Sequence, residues 1–394
     1  MGKRELSVGV MLVILTFLSA CWDEKNIEER GFIVGEAIDL ADKQTKGNTH
    51  LALTYQFVVP SGIMMSTDTE SEDEEPFSNV TVTGDSMQMI TKELETRISR
   101  PPFFDHLKVL VVSEQVAKEA DLFSSVMDIL IRDQQIRRGV SVMIADGKAK
   151  NVIDVQPSLE DLPAMFIDSV LKNSSEDLDI NRTVDVGAVH GYLLDRDSYA
   201  LPRVKPVGEK QIGVKGAAVF NGKKNQLVGM LDAQETKGLN LATQKHYGGM
   251  IEFKINDRLM VFKVDTTQNA ITVNHQDPDN MKVGLDITVE GSIAEMFGSE
   301  SLLSETYLKK IEKRIEARIE QLVNRTIDKL QNDLNADVLG INKVLRQKHY
   351  DLWNKVKDDW EQGKHYFSKV NVDTSAHVTI KGIGTSDRAK TRGD

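Results

Sequence analysis

The sequence predicts an α+β protein. A mixed α/β N-terminal domain is followed by an antiparallel meander with a long amphipathic helix, three domains in all. Three observations carry this. Up to Tyr199, apolar runs of strand length alternate with segments of helical period. After Val214, strand-like segments follow one another with only turn residues between them. From Leu302 to Leu334, apolar residues step by three and four, and Lys, Arg and Glu fill the other positions.

Residues 31–40 and 50–59 read as strands; in the second, Leu51, Leu53, Tyr55 and Phe57 alternate with Ala52, Thr54 and Gln56. Gly47-Asn48 suits a loose hairpin between them. The acidic stretch 66–75 ends in Glu70-Ser71-Glu72-Asp73-Glu74-Glu75 and reads as a solvated loop, since no glycine is interleaved to fold it round a cation. Val80 to Val82 is a short strand. Asp85 or Ser86 can cap a helix with the apolar face Met87, Ile90, Leu94 and Ile98, stopped by Arg100-Pro101-Pro102. Leu107 to Val112 has strand length, and a helix over about 114–131 shows Leu122, Val126, Ile129 and Leu130 on one face. Val140 to Ile144 is the next strand, ended by the turn residues Ala145-Asp146-Gly147, with helical segments near 159–173 and 183–195.

Leu201-Pro202 to Pro206-Val207-Gly208 reads as an extended linker, because proline disfavours helix in the residue before it. Val214–Phe220 and Gln226–Leu231 then flank Asn221-Gly222, a hairpin signal. Strands follow at about 249–256, 258–265, 270–275 and 282–290. The long helix is expected to close the apolar face of that sheet, with a partner-binding coiled coil as the other reading. A helix over Val338 to Tyr350, a segment bearing Trp353 and Trp360, and a strand from Val370 to Ile380 complete the body. The expected division is a leader at 1–20, an N-terminal domain at 21–199, a linker at 200–210, a C-terminal α+β region at 211–384 divisible into two subdomains, and a polar tail at 385–394.

The start of the chain has the form of a secretory signal. Lys3 and Arg4 precede an apolar run from Leu6 to Phe17, then come small residues and the only cysteine, Cys21. The run is shorter than the roughly 20 residues a membrane span needs. Leu18-Ser19-Ala20-Cys21 also has the shape of a bacterial lipobox. That shape implies cleavage after Ala20 and a Cys21 carrying an S-diacylglycerol and an N-acyl chain. Two acyl chains hold stably where one binds marginally, at about 0.8 kcal/mol per buried methylene. The plainer readings are an uncleaved anchor helix, or an ordinary leader with a chance cysteine.

The 394-residue chain has a net charge of −11, and losing Lys3, Arg4 and Glu5 makes it about −12. An acidic body is repelled by anionic lipid and by nucleic acid, so nucleic acid is excluded as a ligand, and membrane contact falls to the acyl chains and to protein partners. With one cysteine, no disulfide forms within the chain.

Catalytic signatures are missing. Neither Gly-x-Ser-x-Gly nor His-Glu-x-x-His occurs. Gly216 to Lys223 imitates a phosphate loop but has five residues between its glycines, and its Asn-Gly serves a hairpin. Asp177, Asp179 and Asn181 have the first three spacings of a calcium loop, yet Arg182 and Ala188 stand where glycine and glutamate are needed, so helix capping is the expected role. His106, beside an apolar strand, reads as a structural histidine. No catalytic residue, cofactor or metal site is expected.

Several segments together resemble a known family. Cys21-Trp22-Asp23, then Arg30-Gly31 and Gly35-Glu36-Ala37-Ile38-Asp39, look like the mature start of the Ger(x)C proteins, the C subunits of GerA-type germinant receptors in Bacillus-like spore formers. Arg100-Pro101-Pro102-Phe103-Phe104-Asp105-His106-Leu107-Lys108 resembles the family's approach to its next strand, and Ile131-Arg132-Asp133-Gln134-Gln135-Ile136-Arg137-Arg138 its Arg-Asp-x-x-Ile-Arg segment. Gly291 to Glu295, Ile341-Asn342 to His349-Tyr350, Trp353 and Asp358-Asp359-Trp360 resemble the closing domain. The likeness runs from Cys21 to about Gly384; the acidic insertion at 66–75 and the segment Gln362 to Ser368 depart from it.

The resemblance implies a lipoprotein on the outer face of the inner spore membrane, peripheral to integral-membrane A and B subunits, with three mixed α/β domains and no catalysis. Nutrient recognition is assigned to the membrane subunits, so direct nutrient binding is not expected of this chain. Arg100, Arg132, Asp133, Arg137 and Arg138 read as charges paired beside apolar strands to orient the first domain, with partner contact as the other reading. A solute-binding lipoprotein is the alternative function, but its two similar lobes are not visible in two halves of such different texture. An envelope hydrolase is a further alternative, and no residue pair stands out for it.

Overall fold

The computed structural model describes residues 2, 30–42, 49–60, 75–173, 176–243, 248–275, 278–296 and 304–383. Residues 3–20 of the leader, Cys21, the acidic stretch up to Glu74 and the tail from 385 lie outside the described residues.

The first half builds one mixed sheet. Strands β1 (Gly31–Leu40), β2 (Leu51–Val58) and β3 (Phe77–Gly84) are antiparallel neighbours, followed by helix α1 (Met87–Glu95) and the short β4 (Pro102–Phe103). Then come β5 (Val109–Ser113), helices α2 (Glu114–Lys118) and α3 (Leu122–Arg132), β6 (Ser141–Ala145), and helices α4 (Lys150–Ile153), α5 (Pro163–Asn173) and α6 (Val186–Asp195). β7 (Tyr199–Pro206), β8 (Ile212–Asn221) and β9 (Gln226–Leu231) complete a sheet of order β3-β2-β1-β5-β6-β7-β8-β9, with β4 beside β1. β5 and β6 are buried at every position, as expected of parallel strands covered on both faces. One core, with Ile38, Leu53, Leu110 and Phe123, lies under α1, α3 and α6; the other, with Ala37, Val111, Ala164 and Ile167, lies under α4 and α5.

Two expectations change here. The helix over 114–131 is two helices, broken where Asp121 takes a left-handed φ of 60°. The linker at 200–210 is largely strand: β7 is an interior strand, and β8 and β9 extend the first sheet beyond Tyr199. Its prolines are tolerated because β7 pairs with β6 only through Arg203 and Val204, and its ladder with β8 shifts register between Pro202 and Val204.

The second half adds helix α7 (Ala233–Thr243), strands β10 (Gly249–Ile255), β11 (Arg258–His275) and β12 (Met281–Met296), the long helix α8 (Glu305–Asp328) running into a π-helical turn (Lys329–Leu334), helices α9 (Ile341–Lys348), α10 (Tyr350–Val356) and α11 (Tyr366–Lys369), and β13 (Asn371–Gly382). The sheet order is β10-β11-β12-β13. The meander holds for its first three strands; β13 lies parallel to β12, since α8 carries the chain back across the sheet. The strands expected at 258–265 and 270–275 are one strand: Thr267-Gln268-Asn269, in the gap between them, is the middle of β11 and pairs with Val289-Thr288-Ile287. α7 was not foreseen; its start is a reciprocal capping box, with the Asp232 amide donating to Glu235 and the Glu235 amide to Asp232, both at 2.8 Å. At Gly238 it presses so closely on α8 that a Cβ would lie 2.2 Å from Thr326 Oγ1. Among the described residues there are two sheets.

α8 does two things for the second sheet. Ile311, Ile315, Ile319 and Leu322 cover its apolar face, as the sequence pattern predicts. Glu312, Glu316 and Glu320, one turn apart, accept the outward amides of Ile380, Val378 and Ala376 in the edge strand β13, each at 3.1 Å. The three carboxylates thus fill the place of a missing strand on an edge that otherwise invites pairing with another chain. Replacing all three with alanine is expected to lower stability by roughly 1–3 kcal/mol per bond and to cause self-association. Urea unfolding and light scattering check this; an unchanged midpoint with a monodisperse sample contradicts it.

Candidate functional site

The structure places the residues singled out in the sequence in different surroundings. Cys21 lies outside the described residues. Arg100, Arg132, Arg137 and Arg138 are all exposed. Arg132 pairs with Asp128 one turn earlier, at 2.8 Å on the open surface, and His106 is exposed with its ring edge-on to Phe32 and tilted against Phe103. Buried pairing of these arginines is therefore not what orients the first domain. Asp177, Asp179 and Asn181 cap no helix either: Asp179 pairs with Lys215 and Lys237, Asn181 donates to Ala200 O, and α6 is capped by Asp185.

Asp133 belongs to a cleft. β1 carries a bulge between Ile33 and Gly35, after which Ala37 sits in the core under α4 and α5 and Ile38 in the core under α1 and α3. Glu36, aligned with Tyr55 on β2 and Leu110 on β5, stands on the side of α1 and α3, at the floor of a cleft of about 220 Å³. Glu36 is 2% exposed, and its Oε2 is buried without a hydrogen-bond partner. Burial, and then the charge of Asp133, raises its pKa to about 8. Above it, Thr91 donates to Met87 O at 3.0 Å, which leaves the Tyr55 hydroxyl to donate to Thr91 Oγ1 at 3.3 Å. Burial, and then Glu36, holds the Tyr55 phenol well above its ordinary value. Phe104, Asp133 and Ile136 also line the cleft.

Trp360 belongs to a second cluster, where the two sheets meet. Glu361 accepts from Ser198 Oγ at 2.8 Å, Asn221 Nδ2 at 3.1 Å and the Asp337 amide at 2.6 Å. Ser198 Oγ in turn accepts the Gly222 amide at 3.0 Å. Asp337 takes the indole N–H of Trp360 at 2.9 Å and the amides of Gly340, Ile341 and Asn342 at the start of α9. Asp197 receives Asn342 Nδ2 at 2.7 Å and Arg346 at 3.1 Å. Burial lifts the Glu361 pKa to about 7, opposed by the donated hydrogen bonds, and raises that of Asp337. Trp353 is half-buried, edge-on to Trp360 with ring centres 6.0 Å apart. Every carboxylate of this cluster is held by fold-forming donors, which marks it as a structural joint. Among the described residues, no group of three His, Cys, Asp or Glu could hold a metal, and no helix is long and apolar enough to cross a membrane.

Residues 23–206 match the family model described as "Spore germination protein N-terminal domain", and residues 215–384 match "Spore germination B3/ GerAC like, C-terminal". The chain belongs to the Ger(x)C family of spore germination proteins. Among Ger(x)C relatives from Bacillus subtilis (strain 168), spore germination protein YndF is 27% identical, covering 97% of this chain and 98% of its own. Spore germination protein B3 is 28% identical (97% and 99%), and spore germination protein A3 26% (98% and 100%). The crystal structure of the GerBC protein superposes with a TM-score of 0.59 at 22% identity, covering 88% of this chain and 97% of that one, and shares the fold.

Sequence reasoning missed Glu36, Glu361 and Asp337. For Glu36 the available signal was one carboxylate in the otherwise apolar run Phe32 to Ile38. Its raised pKa has a signed consequence: an acid with a folded pKa near 8 and an unfolded one near 4.5 stabilises the fold at low pH, and that stability drains as pH rises between the two values. Glu36→Gln removes the slope, on the order of 1.4 kcal/mol per pH unit. Urea unfolding at pH 5 and pH 8 is expected to show the variant gaining on the wild type by a few kcal/mol at the higher pH; an equal difference at both pH values contradicts the buried-acid assignment.

Proposed function

We propose that this chain is the lipid-anchored, non-catalytic C subunit of a nutrient germinant receptor. It is peripheral on the outer face of the inner spore membrane and acts with integral-membrane A and B subunits to trigger germination. The observation that carries this reading is the pair of family matches, in order, over nearly all of the chain that follows Cys21. The lipobox-like Leu18-Ser19-Ala20-Cys21 behind a leader-like run supports the anchor.

The mechanism is thermodynamic. Cleavage after Ala20 leaves a body hanging from acylated Cys21, and tethering raises its effective concentration beside its membrane partners, so modest interface energies suffice. The subunit then biases the receptor's conformational equilibrium through contacts that differ between the two states. The exposed arginines Arg100, Arg137 and Arg138 offer such contacts. Cys21→Ala is expected to move the protein out of the spore membrane fraction and to cut the nutrient response about tenfold or more at equal abundance. A variant that stays in the membrane, or germinates normally when released from it, overturns the anchor as a functional part.

A further inference from the structure

We propose that the cleft between α1 and α3 binds a small primary alkylammonium ion, with the Glu36 carboxylate as its counter-charge and the apolar walls as the seat of its alkyl chain. The first support is Glu36 itself. A carboxyl that is 2% exposed, with Oε2 unpartnered, serves no purpose in packing. A leucine at that position fills a core better than an unsatisfied acid. It contrasts with Glu361, Asp337 and Asp197, whose oxygens all meet donors from the fold.

The walls specify the ligand. Asp133 and Glu95 add carboxylates, and the only cation in the lining, Lys92, is already paired with Glu95. The surplus is negative, which selects a cation. Absence of any metal-holding group among the described residues turns the choice to an organic one. Met87, Ile129, Leu130 and Ile136 give an aliphatic lining, and the aromatic rings of Tyr55 and Phe104 line it as well; such rings attract cations. At about 220 Å³ the cleft is below the roughly 300–1,000 Å³ of pockets for larger ligands, so the amine is short. The segments that carry the family resemblance meet here: 35–39 supplies Glu36, 100–108 supplies Phe104, and 131–138 supplies Asp133 and Ile136.

Binding is coupled to a proton. In the free protein below about pH 8 the Glu36 carboxyl holds its proton. The incoming ammonium keeps all of its own, so Glu36 releases one to solvent as the ion pair forms. The charged or titratable groups facing Glu36 are Tyr55 from β2, Lys92 and Glu95 from α1, and Asp133 after α3; the neighbour from β5 is the apolar Leu110. Burial holds the Tyr55 phenol protonated throughout this range, so Glu36 is the proton source. The proposal stands on the cleft alone and is independent of the receptor reading.

The test is calorimetry on the full chain in detergent, titrated with butylammonium up to millimolar concentrations, with butanol and butyrate as uncharged and oppositely charged controls. Butylammonium is expected to bind, the controls are not, and two buffers of different ionisation enthalpy at pH 7 reveal close to one proton released. Affinity rises nearly tenfold from pH 6 to pH 7 and levels off above 8. Glu36→Gln weakens binding at least tenfold and abolishes the proton release. Asp133→Asn, in the cleft lining, weakens binding by severalfold and keeps the release, which serves as the test should the Glu36 variant not fold. No binding of butylammonium, equal binding of butanol, or unchanged binding by Glu36→Gln overturns the proposal; so does an Asp133→Asn protein that binds without releasing a proton.

Discussion

The Glu361 carboxylate is the constraint on which the arrangement of this molecule depends. It is buried at the seam of the two sheets, and its three hydrogen bonds come from three places: the segment entering β7, the end of β8, and the loop that follows the π-helical turn. Asp337 and Asp197 extend the same logic in both directions. The first fastens α9 and Trp360 to that loop, and the second reaches from the first sheet into α9. Such a cluster adds little net stability compared with an apolar seam, but removing one member leaves buried charge and donors unanswered, at roughly 3–5 kcal/mol. It therefore fixes one geometry. The apolar core spanning the junction, where Leu178, Ala217 and Leu231 of the first half pack with Leu285, Leu322 and Trp360 of the second, supplies the attraction, and the carboxylates supply the register.

That division explains why two buried acids in one chain have opposite meanings. Glu361 is surrounded by donors drawn from separate elements, so it is answered by the fold. Glu36 lies between Tyr55 and Leu110 with its Oε2 unpartnered among the described residues, and it opens toward a cleft.

Much of this was legible in the sequence, for physical reasons. The strand β2, the helix α1 and the long helix α8 follow local periods of two and of three to four, which survive whatever the rest of the chain does. The order of short motifs gave the family. What failed was non-local. Pro202 and Pro206 look like punctuation, yet the neighbouring ladder on one side is only two residues long and leaves room for them. α7 has little helical amphipathicity because it is buried nearly all round, with Lys237 and Asn240 turned inward to Met250 O, Leu178 O and Ile180 O; only its capping box was visible. The parallel pairing of β13 is set by a crossover, and crossovers leave no local mark. The arginines drew attention by their charge, whereas the residues that matter at the seam and in the cleft are acids hidden among apolar neighbours.

A double-mutant cycle of Ser198→Ala and Glu361→Ala, read as unfolding free energy in urea, tests the seam most directly. The two side chains come from residues 163 positions apart and meet at 2.8 Å. Coupling of about 1 kcal/mol or more between the two substitutions is the predicted result. Additivity within about 0.5 kcal/mol would contradict the claim that the buried carboxylate ties the halves together.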